Sequence, residues 1–254
     1  MDVDVDRFAA LSKPDYRFLE FPRPPPSRPY VLVNMVVSAD GKTVIQGTER
    51  GLGSPLDQLL LHELRAHADV VLNGAGTLRA SGTSSRLDDV ALEEIRVRKG
   101  KARLPTAAIL SSSGDLPLGD RFFTARDFDA VVYLAESVSN ERTEAIAATG
   151  RPVYLVPVGN EVPAMLAHMR ETLACQLLLL EGGPILNGEF FRHALIDEFF
   201  LTISALITGG DRVFSTVETP GFVPTFQDAQ RLELLSAHPN PVTNEIYLRY
   251  RILH

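Results

Sequence analysis

The sequence predicts an α/β fold with a mostly parallel central sheet, flanking helices and antiparallel strands at the C-terminal end. Three observations carry this. Short apolar runs alternate with stretches whose apolar residues recur at helical spacing, the pattern of strand–helix units. Several of the runs, above all the four leucines Leu177–Leu180, lack polar alternation, as strands buried on both faces do. The tail from Phe226 to Leu253 carries two β-rich runs with no helical stretch between them.

The first 29 residues read as an arm outside a single domain, 30–254. Val3–Leu11 suits a short helix, and FPRPPPSRP, Phe21–Pro29, can be neither a regular helix nor an inner strand. YVLVNMVVS from Tyr30 reads as a central strand, ADGK as a turn, Thr43–Ile45 as a short second strand, and Gly47–Pro55 as a glycine-rich loop. Ser54 is placed to cap a helix from Pro55 to His67, with Pro55 at its first position, Asp57 in its first turn, and Leu56, Leu59, Leu60 and Leu64 on one face. Ala68–Gly74 is the next strand, AGTLRASGTSSRL a loop, and Asp88–Lys101 a charged helix. Strands at Thr106–Leu110, Ala130–Ala135 and Arg151–Val158 alternate with helices at Val138–Ala148 and Val162–Leu173. The leucine strand, its helix, a strand over Asp197–Thr208 and the two tail strands complete the chain.

Composition narrows the function. A net charge of −7 gives no basic footprint for nucleic acid. No apolar run approaches the ~20 residues that cross a bilayer, and the acidic start, MDVDVD, lacks the form of a signal peptide, so a cytoplasmic setting is expected. The single cysteine, Cys175, excludes an internal disulfide and any multi-cysteine zinc site, and reads as a small buried thiol. His62 and His67 lie five residues apart, roughly 140° around a helix, which does not suit a shared metal. No metal site is expected.

Glycine-rich loops follow three strands, after Ser38, Asn73 and Leu180. In LLLLEGGPILNGEFF a buried strand ends in Glu181, the pair Gly182-Gly183 permits a tight turn, and Pro184 opens a helix. Ligands of open α/β sheets bind at the carboxyl ends of strands, and a helix start offers N–H groups to phosphate. Glu181 is placed to be partly desolvated and therefore partnered. NGAGT, Asn73–Thr77, is phosphate-turn-like but has Arg79 where a dinucleotide fingerprint has its last glycine. Asp40 suits either a turn cap or a ligand contact. The face of the first helix that carries Arg65 reads as solvated.

VVSADGK, GSP, LHELRAHADVVLNGAGTL, LLLLEGGPILNGEFF and DEFFLTISALITGG come in an order and spacing that resembles the pyrimidine reductase domain of riboflavin biosynthesis, from Tyr30 onward. The resemblance implies a dihydrofolate-reductase-like fold, a homodimer, and NADPH-dependent reduction of the ribosyl chain of a phosphorylated aminopyrimidine, either 5-amino-6-(5-phosphoribosylamino)uracil or its diamino analogue. It implies that Glu181 contacts substrate and that Asn34 faces the reacting centre. Gly182, Gly183, Pro184, Ile185 and Leu186 would wrap the cofactor pyrophosphate, Thr77 would touch it, and Val36 and Ser81 would complete its site. Ser112 would lie near the adenosine 2′-phosphate. Arg65 would point to the substrate phosphate, from its own chain or across the dimer, with Arg86 as a second phosphate ligand and Glu49 and Asp40 beside the substrate. The chain departs from the family pattern where it has Ser81, Gly82 and Thr83 in place of Asp-Asp-Pro, and Glu49 and Gly51 in place of serine and tryptophan. No deaminase half accompanies these motifs, so deamination is expected from another protein, or the chain represents a divergent branch. The alternatives are a reductase of another heterocycle such as dihydrofolate, or a non-catalytic NADPH-binding homologue.

Overall fold

A computed structural model describes residues 13–210 and 214–254. The helix expected at Val3–Leu11 lies outside them. Among the described residues nine strands form one sheet. They are β1 (Tyr30–Val37), β2 (Val70–Gly74), β3 (Thr106–Ser111), β4 (Ala130–Ala135), β5 (Val153–Val156), β6 (Leu177–Leu180), β7 (Glu198–Ile203), β8 (Arg231–Pro239) and β9 (Ile246–Leu253). Their order is β5-β4-β3-β2-β6-β1-β7-β9-β8, parallel from β5 through β7, with β9 and β8 joined antiparallel at one side. The expected sheet is therefore present. The helices are α1 (Pro55–Arg65), α2 (Ala75–Ser81), α3 (Val90–Arg98), α4 (Arg121–Thr124), α5 (Asn140–Ala147), α6 (Glu161–Glu171) and α7 (Pro184–Arg192).

The leucines of β6 are buried throughout because β1 and β2 flank the strand and apolar clusters cover both faces. On one face α1 lays Leu56, Leu60 and Leu64 over Leu32, Val71, Leu177 and Leu179. On the other, Met165, Leu166 and Met169 of α6 and Phe190 of α7 pack with Val31, Val33, Leu178 and Leu180. The start of α1 follows the sequence: Ser54 Oγ accepts from Asp57 N, and Pro55 takes the first turn.

A short helix, α4, appears where none was expected, and two expected elements take another form. Ala75–Ser81 is helix, not loop: Leu78 anchors it by burying under the sheet, and Gly82, at φ +71°, ends it. Thr43–Ile45 is not a strand among the described residues: Ile45 makes an isolated bridge with Thr48, and Thr43 N donates to the Phe214 carbonyl.

The described part of the arm, from Lys13, packs on the domain. Tyr16 is buried edge-on against Phe200, its N–H donates to Glu63 of α1, and its carbonyl meets His67 Nε2 at 2.6 Å. Cys175 is buried as expected, which pushes its thiol well above its ordinary range. No helix among the described residues is long and apolar enough to cross a membrane, and no group of three potential metal ligands occurs among them.

Candidate active site

The apolar face that α1 covers becomes polar one residue beyond the helix's cover. Val33 of β1 and Leu72 of β2 both pair with Leu180 of β6, so the next residues, Asn34, Asn73 and Glu181, fall at one level across three adjacent strands. Side-chain alternation puts all three on the α1 face, in line with Leu32, Val71 and Leu179. This row stands at the carboxyl ends of parallel strands, where the crossovers leave a crevice. A cavity of ≈ 870 Å³ opens there. Helix α1 presents Asp57, Gln58, Leu61, His62 and Arg65 to it, a second face beside its leucine stripe.

Arg65 is therefore not solvated. Its Nε and Nη2 hold the two Glu181 oxygens at 2.5 and 2.7 Å, and its Nη1 donates to the Arg86 carbonyl at 2.7 Å. Asn73 Nδ2 reaches Glu181 Oε2 at 3.4 Å. Burial works against the Arg65 charge, but the Glu181 carboxylate more than offsets it, and the guanidinium is held above its ordinary range. Burial and the neighbouring Arg65 charge lower His62. Burial raises Asp57 to about 6, eased by the Thr202 hydroxyl and reinforced by Glu245.

The other wall is built on glycine. Gly182 has φ +91°, which side-chain-bearing residues rarely adopt, and its carbonyl accepts from Gly74 N. A Cβ on Gly74 would come within 3.3 Å of Gly183 N, and one on Gly183 within 3.1 Å of Thr77 Oγ1. Close approach of the two turns thus requires small residues. Gly183 caps α7 with no side-chain hydrogen bond, leaving its first-turn N–H groups for a ligand. Beyond it, Ser111, Ser112 and Ser113 and Arg79 of α2 line the same cavity. Arg79 Nη1 is tied to the Asp115 carbonyl, and Arg142 Nη1 to the Ser113 carbonyl, so two guanidiniums flank the serine turn. A glycine cradle, an uncapped helix start and a cationic serine turn along one wall fit the pyrophosphate and 2′-phosphate of NADPH.

Most of the expected residues meet here: Asn34, Val36, Glu49, Arg65, Thr77, Ser112, Glu181, Gly183, Pro184, Ile185 and Leu186 all line the cavity. Gly182 is not among the lining residues. Ser81 stands at the rim, where its Oγ donates to Glu49 Oε2 at 2.7 Å and meets Thr48 Oγ1 at 3.1 Å. Asp40 is elsewhere. It accepts from Ser38 Oγ and from the N–H groups of Thr208 and Gly209, closing a turn, and these bonds hold it at about 2. Arg86 contributes its carbonyl, while its guanidinium sits on Asp127 outside the cavity. The phosphate role implied for Arg65 meets an arginine whose three nitrogens are already engaged within its own chain. The sequence reading missed Asp57, His62, Arg50 and Arg79 as cavity residues. For α1 the signal was present, since 57, 58, 61, 62 and 65 share one helical face.

The model of the RibD C-terminal domain matches residues 29–237. This chain belongs to that family. A 2,5-diamino-6-ribosylamino-4(3H)-pyrimidinone 5′-phosphate reductase of Aquifex aeolicus is 30% identical over 202 residues, 77% of this chain and 85% of that protein. A protein of the same name from Methanothermobacter thermautotrophicus is 27% identical, over 82% of this chain and 91% of that one. Among solved structures, a pyrimidine reductase-like protein of Corynebacterium diphtheriae superposes with TM-score 0.80 at 20% identity, covering 89% of this chain and 92% of its own. A riboflavin biosynthesis reductase of Saccharomyces cerevisiae does so with TM-score 0.62 at 16% identity, covering 99% of this chain and 100% of its own. The family's fold is thus the fold seen here.

Proposed function

We propose that the protein reduces the ribosyl chain of 2,5-diamino-6-ribosylamino-4(3H)-pyrimidinone 5′-phosphate to the ribityl form in riboflavin biosynthesis, using NADPH, as a cytoplasmic homodimer. The observation that carries this reading is the Glu181 carboxylate. It is gripped on both oxygens by Arg65 and stands level with Asn34 and Asn73, on the same cavity as the glycine cradle. The family relatives named for the diamino compound favour it over the deaminated one.

NADPH, when bound, supplies hydride. Gly183, Ile185 and Leu186 would hold its pyrophosphate through backbone N–H groups, with Thr77 beside them, and Ser112 and Arg79 its 2′-phosphate. Pro184 fixes the start of that helix. Arg65 serves as the clamp that orients Glu181 toward the substrate, and Asn34 flanks it. Arg50, a cavity-lining residue whose Nη2 donates to the Ser81 carbonyl, is the better-placed partner for the substrate phosphate. Glu49 faces the substrate's amino or hydroxyl groups. For the dimer, the outer strands offer exposed apolar residues: Leu232, Leu234 and Ile246. The unit from Tyr30 onward is the reductase domain, with the preceding arm docked on it.

Glu181→Gln tests the reading. It is expected to bind NADPH within threefold of the wild type while turnover falls at least a hundredfold. Unchanged turnover would remove Glu181 from the reaction.

A further inference from the structure

One buried acid on the cavity wall has no part in the site so far. Asp57 opens α1, and a Cβ on Gly53, itself a wall residue, would lie 2.1 Å from its Oδ2. That carboxyl therefore abuts the wall of the cavity. Behind it stands a second buried acid, Glu245, just before β9. Glu245 accepts from Ser54 N at 2.8 Å, from Ser54 Oγ at 2.5 Å and from the Tyr247 hydroxyl. Tyr16 also faces Asp57 from the arm, and Thr202 from β7. The other charged or titratable groups on the cavity are Glu49, Arg50, His62, Arg65, Arg79, Glu161, Glu181, Glu189 and His193, and Arg65 is spent on Glu181. Among the described residues no ion pair reaches Asp57 or Glu245. Burial without a cation disfavours the charged form of the Asp57 carboxyl, and the nearby Glu245 adds to that in the same direction.

We propose that Asp57, buried against the wall of this cavity, is its proton store, with Glu245 as a positioning residue behind it. The inference rests on the reductase reading above and adds the acid which that reading lacks. Reduction of the C1′–N imine adds a hydride to carbon and a proton to nitrogen. The hydride is the contribution of the reduced nicotinamide. The C=N electron pair, displaced onto nitrogen, takes the proton from Asp57 Oδ2, and the carboxylate left behind regains a proton from water. A shift of the Asp57 carboxyl to about 6 agrees with this assignment.

The test is a carbon NMR titration of the side-chain carboxyls alongside kinetics. In the wild type one carboxyl should titrate near pH 6, and Asp57→Asn should remove that signal. Turnover should fall as pH rises through the same value. Asp57→Asn should lower kcat by about a hundredfold or more, the usual scale of general acid catalysis, with KM and the NADPH dissociation constant within threefold. Glu245→Gln removes the neighbouring negative charge, so both the carboxyl titration and the falling limb of kcat should move to lower pH, which a merely structural role would not produce. A wild type that binds NADPH but does not turn over the pyrimidine would defeat the reductase reading, and the NMR titration would still decide whether Asp57 holds a proton. Titration of Asp57 among ordinary carboxylates, or full turnover in Asp57→Asn, overturns the proposal.

Discussion

Replacing Arg65 with leucine removes one half of an ion pair whose side chains are only 11% and 9% exposed. Three hydrogen bonds go with it, two to Glu181 and one to the Arg86 carbonyl. Glu181 is left buried with Asn73 Nδ2 as its remaining partner, at 3.4 Å. Removing one partner of such a pair costs about 3–5 kcal/mol, chiefly through the uncompensated charge that stays behind. For a domain of this size that lowers Tm by roughly 6–20 °C. Urea unfolding gives the free energy, and the double variant Arg65→Leu/Glu181→Leu closes the cycle. The double variant should recover most of the loss, because neither charge is then stranded. A single variant within about 1 kcal/mol of the wild type, or additive losses in the double, would show that the two groups are not coupled and would refute the clamp.

Three further outcomes follow from the same geometry. Arg79→Ala should weaken NADPH binding by about tenfold to a hundredfold, the worth of a charge-assisted hydrogen bond of about 1.5–3 kcal/mol, and leave NADH binding unaltered; fluorescence titration of both cofactors reads this, and equal effects on the two would remove the 2′-phosphate assignment. Gly183→Val places a Cβ 3.1 Å from Thr77 Oγ1 with further methyls beyond it, so NADPH affinity should drop by at least tenfold with the fold retained by circular dichroism. Asp57 carries a pH signature of its own. Its folded value, about 6, lies above the unfolded 3.8. The unfolded chain therefore releases this proton first, and the contribution of Asp57 to stability declines as pH rises from about 4 to 6. The decline totals about 3 kcal/mol at 1.36 kcal/mol per unit. Subtracting the curve of Asp57→Asn should isolate that slope, and parallel curves would contradict the burial argument.

Much of this was legible in the chain because periodicity reports burial. Leu177–Leu180, uninterrupted by polar residues, could only be an inner strand, and Ser54-Pro55 marked the start of α1 to the residue. The helix over Ala75–Ser81 escaped because its glycine and serine are weak helix formers, and Leu78, which pins it, is one anchor without a period. Arg65 was misread on its own face for a related reason. Helical spacing shows which side is apolar, but only the register of β1, β2 and β6 brings Glu181 beneath the opposite side. Asp40 and Arg86 fell outside the cavity because partners distant in the chain, the Thr208–Gly209 turn and Asp127, claimed them, and nothing in the spacing of the chain announces such partners.

The most direct test of the account is to mix the wild-type protein anaerobically with NADPH and the phosphorylated ribosylaminopyrimidine, following nicotinamide absorbance and product mass together. The account predicts NADPH oxidation matched one to one by a product heavier by two hydrogen atoms. NADPH bound at the cavity without oxidation, in the presence of saturating pyrimidine, would contradict it.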